Sequence, residues 1–142
     1  MPRQAPAARR GPTCHIVLAS ALILFAAPLA RSPAVAQEAD LEAAKKQFLT
    51  SCGVCHTVEP GAPPRQGPNL HGVYGRKAAS LPEFTYSDAL KGVDWTWDDA
   101  TLDPWIENAQ SVRPGTVMNY RQADPAKRKL IIAYLKSLSA KP

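Results

Sequence analysis

The sequence predicts an all-α domain, and three observations carry that prediction. Apolar residues recur at helical spacing near both ends of the chain, at Leu41, Ala44, Phe48 and Cys52 and again at Leu130, Ile131, Tyr134, Leu135 and Leu138. The stretches between them are rich in proline and glycine, and no strand pattern, internal repeat or low-complexity tract interrupts them. Finally, Cys52-Gly53-Val54-Cys55-His56 closes the first apolar segment. Its two thiols lie three residues apart, on one turn of helix, with an imidazole next to the second.

Length and charge narrow the field. With 142 residues there is room for one domain and one modest core. The formal charge of +5 is misleading, because Arg3, Arg9, Arg10 and Arg31 all fall in the first 36 residues, which contain no acid. From Gln37 onward 13 Lys and Arg face 12 Asp and Glu, a balance of +1, so a nucleic-acid partner loses its electrostatic basis.

Residues 1–36 have the parts of a cleavable secretory signal. Arg9-Arg10 make a charged start, Ile16–Ala27 is an apolar run of 12 residues, and Ala34-Val35-Ala36 offers a small-residue cleavage site. Cleavage there leaves residues 37–142 as the mature domain, placed in the periplasm. An apolar run this short falls below the roughly 20 residues of a membrane span. The domain meets a membrane only if the leader stays uncleaved. Cys14 precedes the apolar run and does not follow a cleavage-type sequence, so it is not read as a lipidation site.

Along the mature chain, Gln37 to Ala39 reads as a loose terminus and Asp40 as the cap of the first helix. Residues 57–82 hold Pro60, Pro63, Pro64, Pro68 and Pro82, and read as a packed Ω-type loop ordered by something rigid. Ser87 is expected to cap a short helix through Lys91, closed by Gly92. Thr101 is expected to cap another over Leu102–Gln110, with Pro104 in its first turn. Residues 112–122 form a second loop around Pro114-Gly115. Asp124-Pro125 then starts a last helix running to about Ser139.

A Cys-x-x-Cys pair followed by His fits covalent haem attachment, each thiol adding to a vinyl group while the histidine ligates the iron. A thioredoxin-like pair would want a preceding strand, and a zinc site a second ligand cluster; the sequence offers neither. The other axial position has two candidates. Met118, the one methionine outside the leader, sits in a turn-rich loop after Pro114-Gly115. His71 lies 15 residues beyond His56 and is read as a surface or loop-packing histidine. A His56/Met118 pair leaves no open position and raises the reduction potential, which suits outer-sphere electron transfer.

With those segments placed, the chain resembles the class I cytochromes c, of the mitochondrial and bacterial short soluble type, from about Ala44 to Leu138. The landmarks are Cys52–His56, Gly67-Pro68-Asn69-Leu70-His71-Gly72-Val73-Tyr74-Gly75-Arg76-Lys77, Phe84-Thr85-Tyr86-Ser87-Asp88-Ala89, Pro114–Met118 and Leu130–Lys136. The resemblance implies crossing N- and C-terminal helices, Ala44 and Phe48 against Leu130 and Tyr134, wrapped around one haem c bound through Cys52 and Cys55. It implies that the Pro68 carbonyl accepts the His56 ring N–H. Tyr86 and a tryptophan become propionate donors, with Arg76 offsetting charge and Thr116 supplying a hydroxyl. Counting back from Thr101-Leu102 selects Trp97, whereas counting forward from Gly92 selects Trp95; Trp97 is preferred. Trp105 stands where the family has a tyrosine near the methionine. Without the resemblance, the aromatic residues read as ordinary core and Arg76 as a solvated cation.

Function follows as an expectation: an electron carrier rather than an enzyme, and a monomer. It would take electrons from a dehydrogenase or cytochrome complex and pass them to an oxidase or reductase. A membrane-anchored relay subunit and a haem peroxidase are the alternatives. The chain also departs from the family. Ala44 replaces a glycine, Leu90 an asparagine, and Ser51, Gln110, Ser111 and Val117 stand at positions that are often basic. Acids cluster instead at Asp94, Asp98, Asp99, Asp103 and Glu107. A docking face of neutral and apolar groups around Ala62–Pro64, Val117 and the thioether edge is expected, with Arg65 and Arg113 the nearest cations. The competing expectation is a basic ring rebuilt from Lys45, Lys46 and Lys127.

Overall fold

In the computed structural model, residues 33–139 are described, and they form four helices: α1 (Pro33–Ser51), α2 (Asp88–Lys91), α3 (Asp99–Val112) and α4 (Pro125–Ser137). The expected leader, with Met1 and Cys14, lies outside the described residues except for its last four, whose backbone begins α1. No described helix is long and apolar enough to cross a membrane.

The terminal helices pack on each other as expected, α1 against α4, and α3 packs on α4 as well. Ala44 (1 % exposed) and Phe48 (0 %) provide the α1 side, and Ile131, Ile132, Tyr134 and Leu135 are the buried residues of α4 that face the core. The rings of Phe48 and Tyr134 meet at 5.1 Å between centroids, tilted by 45°. Such an aromatic contact adds about 0.5–1.5 kcal/mol beyond the area it buries.

Helix starts differ from the sequence expectation in three places. Gln37–Ala39 are helical rather than loose, and Asp40 is an exposed residue inside α1 rather than its cap. The Ala-rich run before Asp40 contains nothing that would stop a helix, so α1 begins at Pro33, whose fixed φ suits a first turn. Leu41 consequently stands on the solvent side, 42 % exposed. In α3 the cap is Asp98, and Thr101 is its partner at the third helical position. The Asp98 side chain accepts from the Thr101 backbone N–H, while the Thr101 hydroxyl accepts from the Asp98 N–H, a reciprocal capping box. At α2, Ser87 holds the cap position but its hydroxyl makes no cap bond. Asp124 does cap α4, accepting from the Ala126 N–H with Pro125 at the first helical position, and the helix stops at Ser137.

Between α1 and α2 the loop is stitched by its own polar groups, as a buried irregular segment must be. Buried Asn69 donates to the carbonyls of Glu59 and Ala62 and accepts from the His71 N–H. Gly75 and Ala78 donate to the carbonyls of Trp97 and Trp95, tying the loop to the segment before α3. This segment meets the loop in an isolated β-bridge, Lys77 with Thr96.

α3 is broken at Asn108, whose backbone is extended (φ −164°, ψ 91°). The carbonyls of Ile106 and Glu107, set loose by the break, take the N–H of Gln122. The last turn, Ala109–Val112, is re-capped by Asn108, whose side chain accepts from the Ser111 N–H. The chain that follows, Arg113 to Asp124, carries Met118.

The Thr101 N–H and hydroxyl hold the Asp98 carboxyl below its ordinary 3.8. A carboxyl with a depressed folded pKa adds stability above its unfolded value and loses it as pH falls through the folded one. Asp98→Ala is expected to lower the melting temperature at neutral pH, and the gap from the parent should close as pH drops below about 3.8. Thermal melts of both proteins across that range check this, and a gap of equal size at pH 7 and pH 3 would contradict it.

Candidate functional site

Helix α1 ends in the turn that presents the two thiols. The N–H groups of Cys52 and Gly53 both reach the Phe48 carbonyl, and those of Cys55 and His56 both return to the Cys52 carbonyl. Gly53 belongs here because a Cβ on it would lie 2.7 Å from the Leu49 carbonyl oxygen. Neither Cys52 nor Cys55 is in a disulfide, and both border one cavity of about 460 Å³ between the end of α1, the loops, α3 and α4. Burial, with Cys55 alongside, pushes the Cys52 thiol up to about 12.

His56 borders the same cavity. Its Nδ1 lies 2.8 Å from the Pro68 carbonyl oxygen, which can only accept, so the ring proton sits on Nδ1 and Nε2 keeps its lone pair. Burial lowers the His56 pKa, opposed by that hydrogen bond, and the neutral ring is the form able to ligate a metal. Gly67 makes the approach possible: a Cβ there would stand 2.2 Å from Cε1 of the imidazole.

Met118 borders the cavity from the loop after α3, and the Trp105 Nε1–H donates to its Sδ at 3.1 Å. Pro68, Arg76, Tyr86, Trp97 and Thr116 complete the set drawn from the sequence, and every one of these residues borders this cavity. Trp95 does not. It touches Trp97 edge-on, with ring centroids 5.7 Å apart, and its Nε1 is buried without a hydrogen-bond partner. His71 lies elsewhere too, beside a second hollow of about 500 Å³ that it shares with Asn69, Arg76, Glu83 and residues 61–64. The expected neighbours Ala62, Pro63 and Pro64 thus border that hollow and not the main cavity.

Arg76 is held by backbone carbonyls of its own loop. Its guanidinium donates to the His71 carbonyl at 2.8 Å and the Asn69 carbonyl at 3.1 Å, and burial lowers its pKa. Burial raises the Tyr86 phenol, whose ring packs edge-on against Phe84 at 4.9 Å. Several contributors went unassigned in the sequence, among them Lys77, Gly67 and Ser87. Lys77 borders the cavity within a segment noted only as a landmark. Gly67 offered only a glycine before a proline as a signal. Ser87 read as a helix cap, yet its hydroxyl is buried beside the cavity with no partner.

These features fit a flat macrocycle bearing two carboxylates. Two thiols lie at one edge, the wall carries few charges, an imidazole and a thioether supply one nitrogen and one sulfur, and the hydroxyl of Ser87 is left to donate. Known proteins agree. The family model described as Cytochrome c matches residues 41–139. Cytochrome c2 of Rhodomicrobium vannielii is 45 % identical over 91 residues, 63 % of this chain and 73 % of that protein. Cytochrome c of Sesamum indicum is 38 % identical over 102 residues, 71 % of this chain and 92 % of that one. Among solved structures, cytochrome cH from Methylobacterium extorquens superposes with a TM-score of 0.63 at 40 % identity, covering 69 % of this chain and 98 % of that one. A turn that carries two thiols and a histidine into an apolar cavity therefore has its family: the chain belongs to the cytochromes c, haem-based electron carriers whose one haem c is held covalently by the two cysteines, here Cys52 and Cys55.

Proposed function

We propose that this carrier is a periplasmic single-haem shuttle between redox enzymes, with His56 and Met118 as the two axial ligands of the iron. The observation that carries the reading is the meeting at one cavity of both thiols, a ring nitrogen freed by Pro68 and the sole thioether of residues 37–142. When bound, the haem supplies a one-electron ferrous/ferric couple, and the protein sets its environment. With His56 and Met118 both holding the iron, no position would remain for oxygen or peroxide, which favours a carrier over an enzyme.

Each contact has a stated part in that reading. The Pro68 carbonyl holds the ring plane of His56 and makes Nε2 a better donor. The Trp105 N–H engages one sulfur lone pair of Met118 and leaves the other for the metal. A donor on sulfur withdraws charge from it, which favours the reduced iron. Tyr86, Trp97, Thr116 and Arg76 are assigned to the propionates. Ser87 joins them, because a buried hydroxyl without a partner costs about 1–3 kcal/mol until it is paired.

The partner face is read as led by apolar and neutral groups, with exposed Arg65, whose guanidinium donates to the Gly53 carbonyl, as a neighbouring cation. Val54 (78 % exposed) stands between the two thiols in sequence, and Val117 (70 %) precedes the thioether. Part of the charge in the acidic stretch is offset within the molecule. Asp99 pairs with Lys136 at 2.7 Å, and Asp103 and Glu107 pair with Arg128 at 2.9 and 3.6 Å. Electron-transfer interfaces are small, under about 1,200 Å² in total, so a few apolar side chains suffice for docking.

Three measurements test the reading. Met118→Ala is expected to abolish the weak near-infrared sulfur-to-iron band of the ferric protein and to lower the potential; a parent protein lacking that band near neutral pH overturns the ligand assignment. Fractionation should recover the haem-bearing protein in the periplasm with Gln37 as its first residue, and a membrane-bound form retaining residues 1–36 would favour the anchored relay. Steering by opposite charges raises association rates by roughly 10–10³-fold and falls steeply with salt. The rate with the natural partner should instead change little across an ionic-strength series, and a collapse as salt rises would restore the basic-ring expectation.

A further inference from the structure

The chain from Arg113 to Asp124 has no helix or strand of its own, so its backbone must be held from outside. Most of that holding comes from two side chains. On the short turn beyond the break in α3, Gln110 directs its amide Nε2 at three acceptors: the Thr116 carbonyl, the Asn119 Oδ1 at 3.1 Å and the carbonyl of Met118 itself at 3.3 Å. An amide NH₂ has two hydrogens, so one of them is shared. At the other end of the loop stands Arg128, only 7 % exposed. It donates from Nη1 to the carbonyls of Gln122 and Ala123 at 3.0 Å each, while Asp103 fixes its Nε and Nη2 at 2.9 and 3.2 Å.

Met118 is therefore gripped twice, and the two grips do different work. Trp105 holds the sulfur through its indole N–H. Gln110 holds the backbone on both sides of exposed Val117, through the carbonyls of Thr116 and Met118. A thioether is a neutral ligand on a flexible side chain, so its hold depends on how often the loop that carries it swings away. The break at Asn108 aims Gln110 at the loop: an unbroken α3 would keep the Ile106 and Glu107 carbonyls within the helix, and Gln122 could not dock on them.

We propose that Gln110 is a positioning residue for Met118, fixing the ligand's own backbone and restraining the loop from opening. This rests on the reading of Met118 as an iron ligand. It also gives a different account of a position where the resemblance implied a basic docking residue, since the side chain here is turned inward to hold the loop.

Imidazole supplies the test, because it reaches the iron of the ferric holoprotein only after Met118 has left. Its binding is followed by loss of the near-infrared band in the parent, Gln110→Ala and Gln110→Glu. Gln110→Glu keeps the size of the side chain but points a carboxylate at two carbonyls, so a role in filling space survives it and a role in donating does not. Loss of these hydrogen bonds is expected to raise apparent imidazole affinity roughly tenfold in Gln110→Ala, and at least as much in Gln110→Glu. The melting temperature of the reduced holoprotein should stay near that of the parent, because the α1–α4 core is untouched. Equal imidazole affinity in all three proteins overturns the proposal, as does a rise matched by an equal loss of global stability, which would mark a merely structural residue. A parent without the band overturns the Met118 reading instead, and the proposal falls with it.

Discussion

The rest of the structure depends on a hole in its own core. The cavity of about 460 Å³ lies where a domain of this size would normally place its central side chains, and Phe48, Leu102, Ile106, Ile131 and Leu135 all face it. Left to water, the apolar side chains around it would forgo the stabilisation of burial, roughly 25 cal/mol for each Å². Small domains are stable by about 5–15 kcal/mol in all. The filling is therefore part of the core, and the covalent thiol links keep it from leaving. Folding and cofactor retention become one problem, which explains how a chain with such long loops holds a single shape.

That dependence decides which parts of the chain are spelled out locally. The attachment motif is legible because the chemistry needs Cys52, Cys55 and His56 on one turn. Met118 stands out in the sequence as the one thioether of residues 37–142, and the fold brings it to the cavity. The terminal helices are legible from spacing, since each must keep one apolar stripe against the other. Helix starts are less so. Asp40 and Thr101 both look like caps in isolation, yet a cap is settled by where the chain turns, and the Ala-rich run before Asp40 never turns. Asp98 and Thr101 are each able to cap α3, and the box uses both, which moves the start back to Asp99. Residues whose role depends on a distant segment stayed hidden. Gly67 matters because the His56 ring is where its side chain would be, and Ser87 because its hydroxyl turns to the cavity and not to the helix. Gln110 matters because α3 breaks two residues earlier.

Charge is organised by the same economy. Read along the chain, Asp94, Asp98, Asp99, Asp103 and Glu107 suggest an acidic face, and Asp94 is exposed with no ion pair among the described residues. In the fold, Asp98 is occupied with the cap, Asp99 accepts from Tyr74 and Lys136, and Arg128 takes Asp103 and Glu107. Exposed pairs such as Asp99 with Lys136 contribute little stability, about 0–1 kcal/mol. Their effect is to cancel field. Arg128 differs, since it is buried and its hydrogens go to carbonyls of the loop as well as to carboxylates. It is the link between the charged stretch and the loop that bears Met118.

The loop then has two duties that pull against each other. It presents Val117 to whatever docks, and it holds Met118, the next residue, toward the cavity. A partner that docks by pressing on Val117 therefore pushes on the backbone that sets the thioether. Strong attraction between opposite charges at that point would load the loop with each encounter. A neutral valine loads it only by contact, and Gln110 and Arg128 anchor the loop on both sides of that contact. On the docking face proposed above, Val117 and the loop behind it form one arrangement: contact with a partner bears on a backbone that Gln110 and Arg128 already hold.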